Sequence, residues 1–171
     1  MKRFLDTKGF TLVEMVVYVA IVAVVLLVVV NMVLVIARSS KEFRVSRNIQ
    51  NAAITAIERI SRDIQDAESA NTSLSTLGVN PGSLYLDVKD NTGTDKTIEY
   101  ILSNGQINLE EDGINLGPIT PNNVEVTSLV FYVGSTGLSQ MIRAEIGITS
   151  SIGTVSKSEN FYITAVARGS Y

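Results

Sequence analysis

An α+β fold, with one long N-terminal α-helix packed on an antiparallel β-sheet, is predicted by three features of the chain. No glycine occurs between Gly9 and Gly78, and the first proline is Pro81. Apolar residues in the second half of that interval recur at steps of three and four. Beyond residue 82 short apolar runs alternate with a period of two and are separated by turn residues.

The helix opens with an apolar run in which Asn31 is the only interruption from Met15 to Ala37. Those 23 residues cross a hydrocarbon core of about 30 Å at about 1.5 Å per residue. Further on, Ile49, Ala53, Ile57, Ile60, Ile64 and Ala67 define a single helical face. The opposite face carries three i,i+4 charge pairs, Glu58–Arg62, Arg59–Asp63 and Arg62–Asp66. With no strong breaker, the helix is expected from Phe10 to about Ala70, on the order of 90 Å. The apolar face is read as the contact with an attached domain.

Asn71 to Gly82 is rich in Ser, Thr, Asn and Gly and reads as a loop. Strands are expected at 83–89, 97–102 and 106–109, the last two joined by the Asn104-Gly105 hairpin turn. Residues 112–123, with Pro118 and Pro121, read as a connecting loop. Three longer strands follow at 124–133, 138–149 and 160–167. Alternation such as Met141-Arg143-Glu145 against Ile142-Ala144-Ile146 suits a sheet with one covered face. Tyr85, Tyr100, Phe131, Tyr132, Phe161 and Tyr162 are read as core and cross-strand packing rather than a binding surface.

Composition narrows the function. The 171-residue chain is 46% hydrophobic, too apolar for an ordinary soluble domain, and the excess lies at the N-terminus. It has no cysteine and no histidine, so thiolate sites and the commonest general base are missing. Neither a nucleophile–base pair nor a glycine-rich phosphate loop appears, and the chain is read as non-enzymatic with no cofactor. Residues 1–9 carry +2, residues 10–70 balance, and residues 71–171 carry −5. The distal part therefore offers no basic patch for nucleic acid. Basic residues flank the apolar run on both sides, Lys2, Arg3 and Lys8 before it and Arg38, Lys41, Arg44 and Arg47 after it. Charge alone does not orient the span.

Residues 8–14 read KGFTLVE directly before the apolar run. A secretory signal places its small-residue cleavage site after the apolar core; here Gly9 precedes it, and Glu14 sits inside it. These residues resemble the leader of type IV prepilins and type II secretion pseudopilins, over residues 1–37. The resemblance implies cleavage by a prepilin peptidase between Gly9 and Phe10, after the basic Lys8, and N-methylation of Phe10. Glu14 becomes the fifth residue of the mature chain, where it sets subunit register against the amine of a neighbouring Phe10. An acidic side chain near a bilayer centre costs roughly 2.5–3.5 kcal/mol and usually has a partner. A different reading puts Glu14 at the headgroup boundary, where it suits the helix dipole.

The resemblance implies a domain plan: a cleaved leader (1–9), a transmembrane and polymerisation helix (10–37), an amphipathic helix continuing into the globular domain (38–70), and a β-sheet domain (71–171). It also implies partners, namely prepilin peptidase, other pilin or pseudopilin subunits in a filament, and the lipid of a bacterial inner membrane. The N-terminus would be cytoplasmic and the globular domain periplasmic, or extracellular after assembly. Asn31 stands where many major pilins have a helix-bending proline. With the AIERISRDIQDA stretch of residues 56–67, this is similar to minor subunits, the J-type pseudopilins or PilW-like minor pilins. Some major pseudopilins bind calcium in a distal loop; Asp87, Asp90, Asn91 and Asp95 gather oxygen donors here, and Glu110-Glu111-Asp112 form a second acidic cluster. Neither has EF-hand spacing. Two rival expectations are a membrane-anchored adhesin or sensor that never polymerises, and a soluble protein released after Ala37 at Val35-Ile36-Ala37.

Overall fold

A single helix, α1 (Leu12–Asp66), begins the fold and eight strands follow it. The computed structural model describes residues 9, 11–90, 92–135 and 139–167. By its internal contacts the chain divides into two units, residues 1–41 and 42–171. In the first unit every large apolar side chain from Leu12 to Ile36 is exposed. That is the signature of a helix that is apolar all round and finds no core of its own.

In the second unit α1 buries one stripe: Val45, Ile49, Ala52, Ala53, Ala56, Ile60 and Ile64. The alanines bring the helix backbone close to the sheets, and the isoleucines fill the space between turns. Each fully buried isoleucine contributes about 1.5–3 kcal/mol.

Helix α1 stops at Asp66, and Ala67–Ala70 forms strand β1. This corrects the expected extension to Ala70. No basic residue occupies the last helical turn, and Asp63 and Asp66 there oppose the helix dipole. Ala67 and Ala70 are also buried as a strand pair, with Ala70 lying opposite Leu86. Sheet pairing replaces the last helical turn.

The strands divide into two antiparallel sheets rather than one. Strands β1, β2 (Ser83–Lys89), β3 (Asp95–Ser103), β4 (Gln106–Glu111) and β5 (Ile114–Pro118) form a five-stranded meander in chain order. Strands β6 (Glu125–Ser135), β7 (Gln140–Ile152) and β8 (Val155–Val166) form the second sheet, also in chain order. Leu84, Leu86, Tyr100 and Ile107 from the first sheet, and Leu129, Phe131, Ile142 and Ile146 from the second, join the helix stripe in one core.

A loop, not a strand, closes the open edge of β6. Gly78 N–H donates to the Phe131 carbonyl at 2.9 Å, and Gly82 N–H donates to the Leu129 carbonyl at 2.8 Å. The Leu129 N–H in turn donates to Asn80 Oδ1 at 3.0 Å. Gly78, Asn80 and Gly82 thus satisfy these β6 backbone groups, which would otherwise be left unpaired. At Gly82 a Cβ would lie 3.0 Å from the carbonyl oxygens of Thr76 and Val79, a close approach that favours glycine.

Hairpin chemistry sets the registers. Asn104 and Gly105 both have positive φ (53° and 70°), the pattern of the two-residue turn expected there. Asp112 and Gly113 repeat it (51° and 77°) and lead into β5, inside the segment expected to be a loop. Its proline is tolerated because β5 is an edge strand.

One charged residue belongs to the core. Asp63, expected on the outer face of α1, is buried and accepts a short hydrogen bond from the Tyr100 hydroxyl of β3. Arg59 Nε donates to the same oxygen, Oδ2, at 2.9 Å. Of the three expected i,i+4 pairs this is the one that closes among the described residues. Burial raises the Tyr100 hydroxyl pKa well above its ordinary value, and its bond to Asp63 raises it further. It therefore remains a donor throughout the working pH range.

Tyr100→Phe removes that donor while leaving the ring in place. The buried carboxylate then keeps only Arg59, and a loss of roughly 1–3 kcal/mol is expected for the globular unit. Denaturant titration of the full chain in detergent would measure it; a change below about 0.5 kcal/mol would show that the bond adds little.

Candidate functional site

The N-terminal end of α1 is built by a capping residue that the sequence reading passed over. Thr11 precedes the helix, and its Oγ1 accepts a hydrogen bond from the Glu14 N–H at 3.3 Å. Its carbonyl accepts from Met15 N–H at 3.1 Å, the first helical bond. Thr11-Leu12-Val13-Glu14 is the T-x-x-E spacing of a capping box, and that was the available signal. The Glu14 carboxylate turns along the helix instead, where Oε1 accepts from the Tyr18 hydroxyl one turn on, at 3.5 Å.

Glu14 therefore occupies the first turn of the helix and is exposed. Its negative charge suits the positive end of the helix dipole. Gly9 is also exposed, and a Cβ built on it would meet nothing within 4 Å. Lys8 and Phe10 lie outside the described residues. Behind this end runs an exposed helical surface of valine, leucine, isoleucine and methionine. Its most apolar 18-residue window has a mean hydropathy of 3.3 and is 0% buried. Such a helix is long and apolar enough to cross a membrane.

The acidic residues of the distal loops do not form one donor set. Asp90 Oδ1 accepts from Thr92 N–H at 2.7 Å, Thr92 Oγ1 at 2.6 Å and Thr94 N–H at 2.9 Å. These bonds hold the Asp90 carboxyl below its ordinary pKa of 3.8, the Thr92 hydroxyl having the largest effect. Asp87 and Asp95 line a separate hollow with Glu68 and Lys96. Asp87 accepts from Ser69 Oγ at 3.3 Å, and Lys96 pairs with Glu111. Asn91 lies outside the described residues. Among the described residues, no group of three or more acidic side chains is placed to hold a metal ion.

The six aromatic residues divide between the core and the cross-strand packing expected for them. Tyr100 and Phe131 are fully buried, but Tyr132 and Tyr162 are exposed on the outer face of the three-stranded sheet. Phe131 and Ile163 point inward beside them, and the two-residue period of a strand turns their neighbours out. Arg143 lies over both rings, 5.9 Å from the Tyr132 centroid and 5.4 Å from that of Tyr162. An exposed cation–π contact of this kind contributes about 0.5–1 kcal/mol.

An apolar helix with a carboxylate in its first turn, followed by a helix-on-sheet domain, is a pilin-like architecture. Residues 6–30 match the family model described as the prokaryotic N-terminal methylation motif. The N-terminus is a type IV prepilin-like signal, and it supports a precursor of pilin or pseudopilin type. That class of protein is structural and generally non-enzymatic. No curated protein and no solved structure matches the chain.

The Asp90 turn makes a pH prediction. A depressed carboxyl contributes stability that is fully present above its ordinary pKa and is lost as pH falls through the lowered value. In an NMR titration the Thr92 and Thr94 amide signals should move with a midpoint below 3.8. Asp90→Asn should abolish that movement; a midpoint at or above the ordinary value would contradict the bonding described.

Proposed function

We propose that the chain is a minor subunit of a type IV pilus or a type II secretion pseudopilus, assembled from the inner membrane. The observation that carries this reading is the uncovered apolar helix behind the methylation motif. Prepilin peptidase cuts between Gly9 and Phe10 and methylates the new amino terminus. The subunit waits in the bilayer by its apolar helix, then enters a filament in which these helices pack together. Contacts of this head-to-tail kind do not close, so they build a fibre rather than a ring.

Glu14 has a defined task in this scheme. A carboxylate in an apolar bundle is costly unless paired, and the amine at Phe10 of an adjacent subunit supplies the pair. Register is set because displacement along the axis by one turn, about 5.4 Å, separates the two charges. The absence of the proline at Asn31 and the pattern of residues 56–67 favour a minor over a major role.

Glu14→Ala tests the assembly step. In cells carrying a complete filament system, the variant should still enter the membrane. Its amount in sheared filaments should fall more than about tenfold, since breaking one member of a buried charge pair costs several kcal/mol. Unchanged incorporation would contradict the register role and favour an anchored domain that does not polymerise.

A further inference from the structure

The cations of the molecule fall into two groups. Every described lysine or arginine on the sheets holds a carboxylate: Lys89 with Glu68, Lys96 with Glu111, Arg143 with Glu145 and Lys157 with Glu159. On α1, Arg59 holds Asp63. Arg44 and Arg47 pair with no carboxylate within 4.0 Å, and neither do Arg38, Lys41 and Arg62. Sequence explains the two at 44 and 47. Their i±4 neighbours are Ser40, Asn48, Phe43 and Asn51, none of them acidic. From Arg38 to Arg47 the only carboxylate is Glu42.

These unpaired arginines lie within ten residues of Ala37, where the apolar run ends. Beside them Phe43 is 69% exposed, a ring that gains nothing from facing water. The tip of the β7–β8 hairpin sits alongside. Ile152 lines one hollow with Arg44 and Arg47, and Val155 and Lys157 line another, of about 390 Å³, with Phe43. Lys157 Nζ also donates to Ser46 Oγ at 3.3 Å, tying the hairpin to the helix. Arginine, apolar ring and lysine therefore share one end of the globular unit.

We propose that this end, centred on Phe43, Arg44 and Arg47, docks on anionic phospholipid headgroups at the surface of the membrane that the apolar run enters. Guanidinium groups match phosphate in charge and in their forked hydrogen-bond geometry. Juxtamembrane basic segments are attracted to anionic lipid surfaces, and Glu42, which lines the Phe43 hollow, is the one carboxylate among the four cations from Arg38 to Arg47. An exposed phenylalanine adds apolar contact at the headgroup boundary. The proposal rests on the apolar run lying in a bilayer, and on neither cleavage at Gly9 nor filament assembly.

The test is lipid selectivity measured by electron paramagnetic resonance on the full chain in phosphatidylcholine bilayers. Spin-labelled phosphatidylglycerol and spin-labelled phosphatidylcholine are compared as the boundary lipid. The wild type should retain phosphatidylglycerol preferentially, and roughly 1 M salt should erase the preference. Arg44→Gln with Arg47→Gln should lower it by up to roughly fivefold for each cation removed. Equal retention of the two lipids by the wild type would overturn the proposal, as would an unchanged preference in the double variant. A double variant that keeps the preference but no longer co-purifies with a fellow subunit would assign these cations to a protein contact instead. An uncut or unassembled chain still reports on the lipid, so failure of the filament reading is distinguishable.

Discussion

The constraint on which the rest of the structure depends is that one continuous helix must satisfy two different surroundings. From Leu12 to Ile36 its side chains are apolar on every face and none is buried. From Val45 to Ile64 the same helix is amphipathic and buries a single stripe. Water suits the second half and not the first. An exposed apolar surface of this extent marks a site for lipid or for other apolar helices. Glu14, its partner Tyr18 and the Thr11 cap then become meaningful, because they place a charge at the start of a segment that otherwise excludes charge.

The globular unit holds its part of the helix by shape and by a buried polar cluster. Small alanines at positions 52, 53 and 56 and the larger Ile49, Ile60 and Ile64 share one buried core with Leu84, Leu86 and Phe131. Apolar packing alone tolerates small displacements along the helix. The Tyr100–Asp63–Arg59 cluster does not, since a shift would strand a buried carboxylate. The loop 71–82 plays the corresponding part for the second sheet, supplying Gly78, Asn80 and Gly82 to the open side of β6.

Much of this was legible in the residues, and the exceptions have physical causes. The 3.6-residue period located the buried stripe, and the Asn104-Gly105 turn fixed one register. Strand β5 was missed because Pro118 and Pro121 read as loop residues, although Asp112-Gly113 is the same kind of turn signal. The division into two sheets was not visible, since the open side of β6 is met by the Gly78 and Gly82 amides and the Asn80 side chain, which carry no periodic pattern. Asp63 was misplaced because a carboxylate four residues from an arginine looks the same whether water or a tyrosine hydroxyl completes it. At the N-terminus the methylation motif was legible from Gly9, Phe10 and Glu14 together. The cap at Thr11 was overlooked because the same four residues had already been explained by the leader.

The central claim is that residues 1–9 are a prepilin leader, so that the exposed helix becomes a filament core rather than a simple anchor. The intact mass of the membrane-extracted protein, expressed with and without a prepilin peptidase, tests it most directly. Loss of residues 1–9 and gain of one methyl group on Phe10 are expected, both dependent on the peptidase. An unprocessed chain in the presence of active peptidase would contradict it, and so would a product that begins at Arg38.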